Sequence, residues 1–227
     1  MRRFLTGTAL AVWGIGCGYA LAKLAIPLQH NDSFFFFLIG FGLYAVLWIF
    51  FLHRRDAFWS ILEHEITHAV IAFMFRKQVR SLNARRARGG SVHLDGGNLI
   101  IALAPYFLPL PALVLAFLMP LVQHSYIQYF ALALGFLYGF HFFPLLKELH
   151  FSQPDIRNSG ILFSFISILA GNMFFLGIVL ASLYGDWKQF WLFIYQSLIF
   201  TVDIVKNFGQ FLYRRFVTEQ FQNTFGT

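Results

Sequence analysis

Residues 33–52 read SFFFFLIGFGLYAVLWIFFL, an uncharged run of aromatic and aliphatic side chains. A helix rises about 1.5 Å per residue, so a run of this length matches the hydrocarbon layer of a bilayer, which is about 30 Å thick. Similar runs recur near residues 4–27, 57–75, 98–122, 126–146, 160–184 and 187–205. The sequence therefore predicts an all-α, polytopic membrane protein with six to seven transmembrane helices.

The composition excludes a soluble globular protein. Of the 227 residues, 58% are hydrophobic and 12% are charged, whereas charged residues make up about 25% of an ordinary soluble domain. An exported soluble domain behind a signal peptide is excluded as well, because the apolar segments continue far beyond any cleavage point. No repeat or linker separates the segments, so we expect one membrane-embedded domain over residues 1–227.

The charge balance carries information about orientation. The chain has 17 Lys and Arg against 10 Asp and Glu, a net charge of +7. In a membrane protein such an excess indicates cytoplasmic loops rather than nucleic-acid binding. If seven helices alternate across the bilayer, the more basic side holds residues 76–88, Lys147 and Arg157, and the other side holds residues 2–3 and 54–55. We expect the first side to face the cytoplasm, in a plasma or inner membrane.

Three polar segments interrupt the apolar pattern. Residues 76–97 (RKQVRSLNARRARGGSVHLDGG) alternate in character and contain several glycines, which predicts a short β-hairpin. Residues 147–159 (KELHFSQPDIRNS) concentrate side chains that can bind a metal. In the tail, 206–227, apolar residues lie at helical spacing among Lys and Arg, so an interfacial helix and a short solvated helix are both consistent with it.

One pentapeptide predicts a zinc site. The third apolar run contains His64-Glu65-Ile66-Thr67-His68, which matches the His-Glu-x-x-His zinc signature. Positions i and i+4 share one face of a helix, so both imidazoles can reach the same Zn²⁺ ion. Glu65 is then placed to take a proton from a zinc-bound water instead of binding the metal itself.

The position of this motif inside an apolar run strengthens the zinc interpretation. A chance match arises in roughly 1 of 200 sequences of this length and composition. A carboxylate near the middle of a span costs about 2.5–3.5 kcal/mol on insertion scales, so ionisable residues there usually have a function. The alternative is a polar helix face that only forms hydrogen bonds with neighbouring helices.

The third ligand of a catalytic zinc does not follow from spacing alone, although such sites usually have three protein ligands and one open position. Cys17 is the only cysteine, which excludes a pair of thiolates. The candidates are His93, Asp95, His141, Glu148, His150 and Asp155. Asp95 is typical of a hairpin turn, and Asp155 is also typical of a loop or a helix cap.

The arrangement resembles the site-2-protease family of membrane-embedded zinc metallopeptidases. The likeness covers residues 57–184. It rests on HEITH inside a span, the Gly-containing polar stretch 76–97, the span opening NLIIALAP at 98–105 and the later QPDI at 153–156. The resemblance implies that Asp155 is the third zinc ligand and that the hairpin holds substrate extended across the metal.

The chain also departs from the pattern of that family. The usual Asn-Pro-x-Pro and Leu-Asp-Gly pattern is absent around Asp155, and there is no PDZ-like insertion. A straight helix over 126–146 leaves Asp155 beyond the membrane edge, so the connection must bend back, which Pro144 and Pro154 permit. His150, Glu148 and His141 therefore stay open as alternatives.

These residues predict a membrane-embedded zinc metalloendopeptidase that hydrolyses peptide bonds of membrane or membrane-associated proteins. Its partners would be the bilayer and such substrates, with no nucleic acid, and its site would open toward the cytoplasm. The alternative is a non-peptidase: a metal- or haem-binding redox or lipid-modifying enzyme, or an inactive scaffold or transporter. Desaturase-like enzymes need clustered histidine boxes with adjacent His-His pairs, which this chain lacks.

Overall fold

The computed structural model describes residues 2–53, 58–85, 89–150 and 152–215. Most of these residues are helical. The helices are α1 (Arg2–Leu28), α2 (Asp32–Leu47), α3 (Phe58–Met74), α4 (Leu99–Leu103), α5 (Leu110–Leu118), α6 (Ile127–Glu148), α7 (Pro154–Ser159), α8 (Ile161–Ser182) and α9 (Trp187–Tyr213). A π-helical turn, Trp48–Leu52, extends α2. Short 3₁₀ turns occupy Ala104–Tyr106, Met119–Leu121 and His124–Tyr126.

The hairpin predicted within 76–97 is confirmed. Strands β1 (Val79–Arg85) and β2 (Gly89–Leu94) pair antiparallel, with Leu82 opposite Val92. At the open end of the hairpin the carboxylate of Asp95 forms an ion pair with Arg80, and its main-chain N–H donates to the Gln78 carbonyl at 3.1 Å. Asp95 thus closes the base of the hairpin.

Four helices in the described part of the chain are long and apolar enough to cross a membrane. They are Arg3–Leu28, Asp32–Leu52, His124–Glu148 and Ile161–Ser182. A fifth candidate is the pair Leu99–Tyr106 and Leu110–Leu121, bent by 80°. Pro109 lies at this bend and interrupts the helix because it lacks an N–H donor.

The predicted count of six to seven spans is not confirmed. Helix α3, predicted as a span at 57–75, has 17 residues and is only about 26 Å long. It also carries Glu63 and Glu65. Helix α9, predicted as a span at 187–205, carries Lys188, Asp203 and Lys206. Helix α3 is therefore shorter than the four candidate spans, and α9 is less apolar than they are.

Contacts at one end of the helix bundle disagree with seven alternating spans. The ammonium group of Lys147 donates to the carbonyl of His53 at 3.5 Å. The Arg3 guanidinium lies near Gly160, between α7 and α8. The N-terminus of α1, the end of α2 and the connection 148–160 therefore meet at one end. Seven alternating spans would place Lys147 opposite the segment that follows His53.

Glycines set the closest helix contact, between α2 and α6. Gly40 lies against the backbone of Leu132, and Gly135 lies against the backbone of Phe37. One turn along α6, Gly139 lies against the ring of Tyr44. From Phe37–Gly135 through Tyr44–Gly139 to His53–Lys147 the residue numbers rise on both helices, so the two helices are parallel. Small residues allow the backbones to approach to van der Waals distance.

We expect Gly40→Ala to destabilise the folded protein by about 1–3 kcal/mol, because its new methyl group would overlap the Leu132 carbonyl and force the helices apart. Gly42→Ala is the matched control on the same helix, since its added methyl meets no atom within 4 Å. Thermal unfolding in detergent measures both. Equal midpoints for the two variants would contradict the close approach of α2 and α6.

The C-terminal prediction is tested only in part. Helix α9 continues to Tyr213, so residues 206–213 are helical, and their side chains are exposed. The rest of the proposed interfacial tail, 216–227, lies outside the described residues.

Cys17, near the N-terminus, is fully buried in α1.

Candidate metal centre

Helix α3 places the two histidines of the pentapeptide on one face. The ring centroids of His64 and His68 lie 4.9 Å apart, as expected for side chains one helical turn apart. Both side chains are largely buried, with 15% and 12% of their surface exposed. They face a cleft of about 580 Å³ lined by α3, β2, residues 97–102 and residues 153–155.

The short helix α7 brings Asp155 to the same cleft. Pro154 is its first residue, a position that proline favours, and Gly160, with φ of 96°, ends it in a conformation that suits glycine. Ile156 is fully buried in a small apolar cluster with Leu103 and neighbouring side chains. Burial of such a side chain contributes about 1.5–3 kcal/mol, and it fixes the adjacent Asp155.

His64, His68 and Asp155 form a three-residue cluster. One potential ligand atom from each lies within 4.8 Å of the others, and His68 Nε2 is 3.7 Å from Asp155 Oδ2. Ligands bound to one zinc at about 2.0–2.2 Å lie roughly 3.3–3.6 Å apart, so the His68–Asp155 pair is close to that spacing, and any pair near the 4.8 Å limit would have to close by about 1 Å around the ion. Of the groups expected from the sequence, the structure brings these three together.

The second ring nitrogen of each histidine has its own partner. His64 Nδ1 lies 3.1 Å from Glu148 Oε2, and His68 Nδ1 lies 2.7 Å from the Ile101 carbonyl. If each Nδ1–H donates, both Nε2 atoms keep a lone pair for a metal. Metal-binding histidines usually donate their other N–H to a carboxylate or a backbone carbonyl. The residues therefore fit a bound zinc by their donor chemistry and by their hydrogen bonds.

Tyr106 supports Asp155 from the protein interior. Its side chain is fully buried, and its hydroxyl donates to Asp155 Oδ2 at 3.5 Å. Its ring packs edge-on against His64, with 5.1 Å between centroids. The Asn172 amide donates to the Tyr106 carbonyl at 2.8 Å, which connects α8 to the centre.

Glu65 borders the cleft without joining the three-residue cluster. It is buried, with 7% of its surface exposed. Strand β2 lies directly over it, and a Cβ atom at Gly90 would overlap its carboxyl group. The hairpin therefore confines the side chain expected to be the general base.

The remaining sequence candidates lie elsewhere. His141 is buried, and its Nδ1 is 3.2 Å from Glu63 Oε1. Among the described atoms its Nε2 has no hydrogen-bond partner. His150 is exposed and bonded to Ser152 Oγ at 2.7 Å, and His93 is exposed beside Ser81. None of these three belongs to the cluster.

Tyr106 and Gly90 are absent from the sequence-based candidates. Tyr106 is one of 9 tyrosines and has no local motif, so only the folded contacts single it out. Gly90 entered the sequence analysis only as one of the glycines of the hairpin predicted within 76–97, and its contact with Glu65 was not predicted.

A scan against protein-family models and searches of curated proteins and of solved structures found no match for this chain.

Proposed function

We propose that this protein is a membrane-embedded zinc metalloprotease of the site-2-protease type. The observation that carries the proposal is the cluster of His64, His68 and Asp155, in which each residue has its own hydrogen-bond partner. A His-His-carboxylate set with a further carboxylate beside it is typical of hydrolytic zinc sites. The open cleft leaves room for water and a peptide.

The proposed reaction assigns a distinct role to Glu65. When bound, zinc would supply a polarising charge for the scissile carbonyl and a water acidic enough to react near neutral pH. Glu65 takes the proton of the attacking water and returns it to the leaving amine. Its burial under β2 holds the carboxylate at the cleft.

The hairpin suggests how substrate is held. Gly90, Ser91, Val92 and Leu94 of β2 line the cleft, while β1 occupies the opposite edge of β2. An extended peptide can add to a free strand edge through main-chain hydrogen bonds. A helical membrane substrate would unwind to bind in this way, which exposes the peptide bond to attack.

We place the cleft at the cytoplasmic end of the bundle, in a plasma or inner membrane. Gln153 and Pro154 line the cleft and belong to the connection that follows Lys147 and that lies near Arg3 at Gly160. Basic residues mark cytoplasmic ends. In this arrangement α9 provides a sixth crossing with α1, α2, the bent α4–α5 pair, α6 and α8. Helix α3 and the hairpin enter and leave at the cytoplasmic end.

The proposal is tested first by metal content. We expect the protein purified in detergent to bind about one zinc per chain, and the single Ala variants at His64, His68 and Asp155 to lose it, because each removes one of three ligands. His141→Ala and His150→Ala are the controls and should keep zinc. Elemental analysis after dialysis gives the stoichiometry.

Two results would count against the protease. Failure of the wild-type protein to take up zinc would favour the scaffold or transporter, and a haem absorption band would favour a redox enzyme. Zinc loss in His150→Ala, with zinc retained in Asp155→Ala, would assign the third ligand elsewhere.

A further inference from the structure

We propose that Glu148 is a positioning residue of the metal centre, which fixes His64 by accepting its Nδ1–H. The inference rests on the proposed zinc site and concerns a residue outside the metal ligands. Glu148 Oε2 lies 3.1 Å from His64 Nδ1. Its side chain is 26% exposed and borders the cleft.

The geometry separates Glu148 from the ligands. The atoms that converge belong to His64, His68 and Asp155, whereas Glu148 meets the Nδ1 atom of His64. A group bound to Nδ1 keeps the proton there, so Nε2 carries the lone pair. The carboxylate thereby selects the tautomer of His64 that suits a metal at Nε2.

The two histidines differ in the nature of this support. The partner of His68 is the Ile101 carbonyl, a neutral main-chain group. The partner of His64 is a carboxylate, whose negative charge strengthens the hydrogen bond and makes the imidazole a better donor toward a cation. The affinity of His64 for a metal therefore depends on the side chain of Glu148, which a substitution can remove.

Glu148 also connects α6 to the centre. It is the last residue of α6, and two turns earlier on that helix His141 pairs with Glu63. Glu63 and His64, adjacent on α3, therefore each pair with a residue of α6. In one pair α3 supplies the carboxylate, and in the other it supplies the imidazole. Only the Glu148 pair includes a residue of the metal cluster, so Glu63 provides a matched control.

The test compares the zinc affinity of Glu148→Ala, Glu148→Gln and Glu63→Gln with that of the wild type. A competing chelator dye gives the dissociation constant without any assay of activity. We expect Glu148→Ala to weaken zinc binding about 10- to 100-fold while still binding one zinc at saturation. Glu148→Gln keeps an acceptor oxygen and should recover part of the loss, and Glu63→Gln should bind within about twofold of the wild type.

The absorption spectrum of the cobalt-loaded protein reports the geometry of the metal centre. We expect the visible absorption bands of the cobalt-loaded protein to shift in Glu148→Ala and to return toward the wild-type spectrum in Glu148→Gln, while Glu63→Gln leaves them unchanged. A purely structural role for Glu148 would lower thermal stability without this pattern.

The possible outcomes separate the two proposals. If the wild type binds no zinc, both proposals fail. If the wild type binds zinc and Glu148→Ala binds it equally well, only the role of Glu148 fails. If Glu148→Ala takes up no metal even at saturating zinc, as expected for Asp155→Ala, Glu148 is a ligand and the positioning role is wrong.

Discussion

Glu65→Gln is expected to lose nearly all peptide cleavage while the protein keeps its zinc. The substitution preserves the shape and most of the packing of a buried side chain, but an amide cannot take a proton from water. General-base catalysis contributes about 10²- to 10⁴-fold, so the rate of cleavage should fall by roughly this factor. Cleavage of a membrane-tethered peptide in detergent, assayed with zinc content on the same sample, measures both properties.

The neighbouring carboxylate supplies the control for this variant. Glu63 is two residues away on α3, but it pairs with His141 instead of facing the metal cluster. Glu63→Gln should therefore cleave substrate at nearly the wild-type rate. Wild-type cleavage by Glu65→Gln would show that another group activates the water, and zinc loss in this variant would show that Glu65 is a ligand.

The two histidines of the candidate centre could be predicted from the sequence because they lie one turn apart on a single helix. The spacing of His64 and His68 fixes their common helix face once the segment is helical, and α3 shows this face. Asp155 was one of several candidates from its residue type, and the family resemblance singled it out. Its place beside His68 depends on the burial of Ile156 and on the turn into α7, which no local pattern encodes.

The number of spans could not be read from hydropathy. An apolar window such as 57–75 does not show whether the helix crosses the bilayer or is followed by a return to the same end. What decides this lies in long-range contacts, such as that of Gly90 in the hairpin with Glu65 on α3, which no hydropathy window contains. The contacts of Glu148 with His64 and of Tyr106 with Asp155 could not be predicted either, because each joins residues more than 40 positions apart in the sequence.

Gly90→Ala is expected to reduce cleavage about 100-fold with little change in stability. The added Cβ would overlap the Glu65 carboxyl group. Because that group is the end of a flexible side chain, it can move away while β2 keeps its pairing. A displacement of about 1 Å in a catalytic group costs on the order of 100-fold in rate, so the damage falls on catalysis rather than on folding.

Three measurements on the same preparation isolate this effect. Zinc content should stay at the wild-type level, because the methyl group is added over Glu65 and leaves the three ligands in place. The thermal midpoint should match that of Gly42→Ala, which adds the same methyl group in open space. Wild-type cleavage by Gly90→Ala would show that β2 does not confine the general base.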